Sequence, residues 1–199
     1  MSRIVVDSIR NSSASSDGIT LASDGSVTIP GNATCSGTAS GFGGGKILQV
    51  VSVSKTDQFS STSTSFVDIT GLSINITPSS TNSKILVIAQ ITASGEDAGT
   101  GIMLDRSGTE PLKANADGSR QVFTMIGTYA GSNAEMTYGN GANHISFLDS
   151  PNTTSQLTYK LKGKTRSANP FRVNITRYTS NDTNCSLGTS TLTVMEVGA

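Results

Sequence analysis

The sequence predicts an all-β protein, a two-sheet jelly-roll sandwich of about ten strands carried on an extended N-terminal β stem. Three observations predict it. The longest apolar run is residues 84–93, KILVIAQITA, broken only by Gln90. It is rich in β-branched residues, bounded by Ser/Thr/Asn/Gly punctuation and far too short to span a bilayer as a helix. A near-continuous apolar run also predicts a strand covered on both faces, and so a domain that works with copies of itself. Second, the chain from Ile47 onward is one short β segment after another, with no sustained helical period and no caps. Third, charged residues are only 14% and hydrophobic residues 35%. Ser, Thr, Gly and Asn fill the difference, which suits sheet faces better than an enzyme surface.

In chain order, residues 1–34 read as a stem. Ile4, Val5, Val6 and Ile9 form a short apolar start. Then SDGITLA at 16–22 is echoed by SDGSVTI at 23–29, each copy an Asp-Gly turn followed by a brief alternating segment. Neither copy can bury its apolar residues alone. Three chains winding around a common axis would cover Ile19, Leu21, Val27 and Ile29, while a hairpin or a disordered tail is the plainer alternative. Residues 35–45 are a Gly/Ser-rich linker, and the head occupies 46–199.

Within the head, 47–54 (ILQVVSVS) is the first strand. FVDI at 66–69 and LSINI at 72–76 flank a Thr70-Gly71 turn. The central run follows. IMLDR at 102–106 closes on Ser107-Gly108. QVFTMI at 121–126, HISFL at 144–148, LTYKL at 157–161, FRVNIT at 171–176 and LTVMEV at 192–197 complete the series.

Several functions are disfavoured. The net charge is +0, there is no Trp, and aromatics are 5%, so neither a nucleic-acid footprint nor a base-stacking platform is visible. No secretory h-region and no membrane-spanning run occur, which predicts synthesis in a cytosol without membrane insertion. Cys35 and Cys185 lie far apart outside any C-x-x-C pair, and two free thiols are the expectation. GFGGGK at 41–46 is not a phosphate loop. Ser40 stands where the first Gly belongs, and Ile47 where Ser or Thr belongs.

No catalytic, metal or cofactor site is predicted. His144 is the only histidine, and no G-x-S-x-G elbow offers it a serine. Glu96, Asp97, Asp105, Glu110, Asp117, Glu135, Asp149 and Asp182 are spread over separate turns, with no calcium loop and no spacing that singles out a glycosidase pair.

The loops carry what remains. Residues 107–120 and 128–143 are the longest, and the second sets Tyr129 and Tyr138 among Gly, Ser and Asn, a composition of adaptable recognition loops. The candidate binding residues are Lys113, Asn115, Asp117 and Arg120 in the first loop, Tyr129, Asn133 and Tyr138 in the second, and Asn181, Asp182 and Asn184 in 179–187.

The segments FVDITGLSINITP, SKILVIAQITASGE, ISFLDSPNTTSQLTYKLKGKT and STLTVMEV, in that order, resemble tail-fibre-like virion proteins of marine bacteriophages. Their head is similar to the jelly roll of tumour necrosis factor and of complement globular heads. The resemblance covers 47–199, and the linker and SDG repeats look like the slender stem of such fibres. It implies a homotrimer with the C-terminal strand near the threefold axis, and attachment to other virion proteins through the N-terminal segment. It carries no site residue, because the shared motifs are core strands. Leu192 and Val194 are the candidate trimer-interface residues. The expected function is a virion fibre or spike whose head attaches to a glycan or protein on the host surface. The alternative is a capsid or tail decoration protein with no receptor.

Overall fold

The structure, a computed structural model, describes residues 6–10, 12–13, 15–16, 18–29, 46–96, 99–126, 141–176, 179–181, 183 and 185–198. The linker at 35–45, with Cys35, lies outside them. The chain divides into two compact units between Gly43 and Gly44. It is all-β, with no helix among the described residues. It therefore contains no described helix long and apolar enough to cross a membrane.

The first unit is a three-stranded antiparallel sheet of β1 (Ser8–Ile9), β2 (Ile19–Leu21) and β3 (Val27–Thr28). The second SDG copy makes the β2–β3 turn. Gly25 takes φ 83°, and the Ser26 amide donates to Asp24 Oδ1 at 2.9 Å. That backbone hydrogen bond pulls the Asp24 pKa down. The segments thus pair with each other within the chain, as in the hairpin alternative. Val6, Ile9, Leu21, Val27 and Ile29 stay exposed, because so small a sheet has no second layer to cover them.

The second unit is the sandwich. Sheet one runs β4 (Ile47–Lys55), β13 (Ser190–Val197), β7 (Lys84–Gly95) and β10 (Gly141–Asp149). Two short strands extend it. β12 (Phe171–Val173) succeeds β13 along the same edge of β7, since Ala93 pairs with Val173 on one side and Gly141 on the other. β5 (Phe59–Ser61) lies outside β12. Sheet two runs β6 (Val67–Ile76), β11 (Leu157–Lys164), β8 (Gly101–Arg106) and β9 (Met125–Ile126). The pairs β4/β13, β6/β11, β7/β10 and β8/β9 nest one inside another along the chain. A long hairpin rolled into two sheets has this nesting, and it is the jelly-roll pattern.

Several predicted elements change. Thr70-Gly71 is not a turn between two strands but a bulge within β6, where Gly71 takes φ 87° and the β11 register shifts between Lys160 and Lys162. QVFTMI contributes only Met125 and Ile126 to a strand. FRVNIT stops after Val173, because Asn174 turns to φ 63°. β5, rich in Ser, was not foreseen.

Alternation fills the core. Ile85, Val87, Ala89, Ile91 and Ala93 point from β7 into a cluster with Ile69, Leu72, Ile74, Ile76, Ile102, Leu104, Tyr159, Leu161 and Phe171. Each large side chain buried this way contributes roughly 1.5–3 kcal/mol. Leu192 and Val194 belong to the same cluster, both 0% exposed. They are therefore not available as interface residues. Strand parity turns them inward and turns Thr193 and Met195 outward. On the outer side of β7, Ile88 is exposed.

Buried Asn174 and Asp149 are each tied down by several partners. Asn174 Nδ2 donates to the Lys55 carbonyl at 2.8 Å and the Asp57 carbonyl at 3.0 Å, and its Oδ1 accepts from Ser190 at 2.6 Å. This side chain bridges the break where β4 gives way to β5. Arg106 donates to both oxygens of Asp149 at 2.7 Å, and Tyr159 donates to the same carboxylate at 2.6 Å. That triad joins β8 and β11 of sheet two to β10 of sheet one.

Candidate functional site

β11 alternates strictly, so Leu157, Tyr159, Leu161 and Gly163 face inward while Lys160, Lys162 and Lys164 line the outer face of sheet two. The three lysines have different partners. Lys160 Nζ is 2.9 Å from Asp68 Oδ2, and this hydrogen bond raises its pKa. Lys162 Nζ is 3.1 Å from Asp105 Oδ2. Lys164 has no carboxylate partner among the described residues. Its ammonium sits over two rings, 5.0 Å from the centroid of Phe66 and 5.6 Å from that of Phe123. The rings themselves meet edge to face at 5.9 Å.

The segment between β8 and β9 builds the rest. It leaves through a tight turn at Ser107 and Gly108, with φ 48° and 87°, the left-handed pair that a two-residue hairpin requires. The Arg106 amide donates to the Thr109 carbonyl at 2.7 Å, and the return bond is 2.9 Å. The loop then comes back along β8. The Ala114 amide donates to the Phe123 carbonyl at 3.2 Å, and the Thr124 amide to Ile102 at 3.0 Å. The Thr124 hydroxyl donates to the Leu112 carbonyl and accepts from the Leu104 amide. Phe123 lies across Gly101, where a Cβ would fall 2.3 Å from the ring, so the aromatic floor depends on that glycine.

Between loop and sheet lies a cleft of about 340 Å³ lined by Phe66, Met103, Lys113, Arg120, Gln121 and Lys164 among others. A second hollow of about 270 Å³ shares Arg120 and Gln121 with it and is bounded by Phe123 and Arg166. Four cations thus border these two adjoining hollows. Two carboxylates accompany them, each held by a neighbour on the loop. Glu110 pairs with Lys113 at 2.9 Å, and Asp117 pairs with Arg120.

Of the residues predicted from sequence, Lys113 and Arg120 meet at this cleft. Asn115 and Asp117 are exposed on the same loop. Tyr129, Asn133, Tyr138, Asp182 and Asn184 lie outside the described residues. Asn181 borders a separate hollow of about 200 Å³ with Gln58, Ile175, Cys185 and Leu187, which shares no lining residue with the cleft. Cys185 there carries a free thiol. The residues that sequence reading missed are Phe66, Phe123, Lys164 and Arg166. The period-two lysines of KLKGK were the available signal.

Three further described ionisable groups lie away from the cleft. His144 is exposed on the outer side of β10. Burial and the Asp149 carboxylate push the Tyr159 phenol far up, which keeps it a donor. Glu196 is buried on β13. Burial alone would raise its pKa, but hydrogen bonds from the Ser79 hydroxyl at 2.6 Å, the Ser79 amide at 2.7 Å and Gln49 at 2.6 Å outweigh it and hold the group at about 2. Among the described residues, no group of three or more His, Cys, Asp or Glu is placed to hold a metal.

No protein-family model matches the chain, and no curated protein matches it in sequence.

Proposed function

We propose that this chain forms the homotrimeric head of a phage fibre or spike, recognises a structure on the host cell surface and catalyses nothing. The observation that carries the reading is one row of side chains on the outer face of sheet one. Met195 pairs with Val50 on one side and Leu86 on the other, and Leu86 pairs with Leu148. All four point away from the core, and Val50 and Leu148 are 56% and 49% exposed. Ile47 and Leu48 extend the band at the start of β4. The next outward row, Ser52, Thr193, Ile88 and Ser146, is mostly polar.

A straight apolar band crossing four strands is unfavourable in water, and contiguous exposed apolar surface of this kind marks an interaction site. Copies of the same chain are the simplest cover, because symmetric assembly lets one patch serve every subunit. On this reading the interface lies on the other side of the strand that bears Leu192 and Val194. The cleft lies on the opposite sheet and stays open when the band is covered. Three copies of a weak site then gain avidity. The N-terminal unit, joined through the linker, is the part assigned to attachment on the particle.

The test is mass by light scattering, followed by labelling of susceptible cells with the fluorescent chain. A mass of three chains and saturable labelling support the reading. A 20.5 kDa monomer at micromolar concentration contradicts the trimer. A trimer that labels no susceptible strain, on particles that assemble normally, favours the decoration alternative.

A further inference from the structure

We infer that the cleft on sheet two binds an oxyanion, a carboxylate or sulfate, carried on a saccharide. The inference rests on the attachment reading and adds to it the chemistry of the ligand. Its starting point is the unequal lysine row. On one strand face, Lys160 and Lys162 each meet an aspartate at about 3 Å, while Lys164 meets only ring faces. The rings hold the ammonium in place and exclude water from one side of it, yet they leave its charge uncompensated. Arg166 likewise has no carboxylate partner among the described residues and borders the adjoining hollow. The two loop carboxylates are already engaged by Lys113 and Arg120. An incoming anion is therefore the partner this depression lacks.

The remaining lining favours a sugar ring as the carrier of that anion. Ala114, Ala116 and Val122 present methyl surface to C–H groups, and the exposed Gln121 amide can donate and accept toward hydroxyls. The cleft's 340 Å³ falls at the small end of ligand sites, which suits one or two rings. Nucleic acid fits poorly. The chain has net charge +0, Phe123 is only 6% exposed, and the Phe66 face is occupied by Lys164, so no free ring is offered to a base.

The experiment is titration calorimetry of the full chain at low salt with three probes: oligogalacturonate, a sulfated dextran oligomer and neutral dextran. Binding of an anionic probe without binding of neutral dextran is expected, and which anionic probe binds more tightly distinguishes carboxylate from sulfate. Lys164→Gln and Arg166→Gln should each weaken it about tenfold, the size of one lost charge-assisted hydrogen bond. Because Lys164 also packs on the rings, Arg166→Gln is the cleaner variant; Arg166 is exposed, and its melting temperature should not change. Absence of binding to both anionic probes overturns the inference, as does equal affinity for neutral dextran or undiminished binding by both variants. The attachment reading fails separately. Cell labelling that survives the double variant overturns the cleft assignment and leaves attachment standing. Oligosaccharide binding without labelling of any susceptible cell supports the cleft and contradicts attachment.

Discussion

The Lys164 ammonium lies 5.0 Å from the centroid of the Phe66 ring. Two residues earlier on the same strand face, Lys162 faces a carboxylate instead. The difference follows from what flanks β11 at each level. Asp105 stands opposite Lys160 on β8 and meets Lys162 diagonally, past Met103, but Gly101 stands opposite Lys164 and leaves room for the Phe123 ring.

Gly101→Ala should therefore disturb both the fold and the cleft. The added Cβ would sit 2.3 Å from Phe123 ring atoms, and moving that ring removes half of the platform under Lys164. A loss of about 1–3 kcal/mol is expected, the usual cost of overpacking a filled site. Urea denaturation measures it. A neutral result would show that Phe123 can swing away freely.

Opposite faces of sheet one should respond differently to the same charge. Val194→Asp places an unpaired carboxylate in the core and should cost about 3–5 kcal/mol. The chain should then fail to accumulate as folded protein. Val50→Asp, on the exposed outer face of the neighbouring β4, should leave the circular dichroism spectrum intact and reduce the mass seen by light scattering. Retention of the assembled mass in folded Val50→Asp would move the interface elsewhere.

Acid should weaken the sandwich through Glu196. Its folded pKa is about 2 against an ordinary 4.5. A depressed carboxylate adds stability that is fully present above the unfolded value and is lost as pH falls through the folded one. The melting temperature should decline between about pH 4.5 and 2. Glu196→Gln should lower stability at neutral pH by about 1–3 kcal/mol and flatten that decline. An identical acid profile in the variant would assign the loss to other carboxylates.

Asn174→Ala should be among the costly polar substitutions. It strips partners from the Lys55 and Asp57 carbonyls and from Ser190, each buried group left unsatisfied costing about 1–3 kcal/mol. It also asks a residue with a Cβ and no polar end to hold φ 63°. Asn174→Gly relieves the backbone but not the hydrogen bonds, so it should recover only part of the loss. Full recovery would mean that the side-chain contacts contribute little.

The strands were legible where apolar residues alternate or run on, as in β6, β7, β11 and β13. Two features were not. LTVMEV has apolar residues on both faces of the strand, and only the partner sheet decides that Leu192 and Val194 go in while Met195 goes out. The cleft was half legible: Lys113 and Arg120 stand together on one polar loop. Phe66 and Phe123 stood only within predicted strand segments, and their meeting over Lys164 depends on β6, β11 and the end of the β8–β9 loop coming to one level. Ser-rich β5 has no apolar signal of its own and is a strand because β12 pairs with it.

The most direct test of the account compares the fluorescent wild-type chain with Val50→Asp on susceptible cells by flow cytometry. A trimeric recognition head predicts saturable labelling by the wild type and a large loss of apparent affinity in the folded, dissociated variant, because three linked contacts become one. No saturable labelling by the wild type, or equal labelling by the dissociated variant, would contradict it.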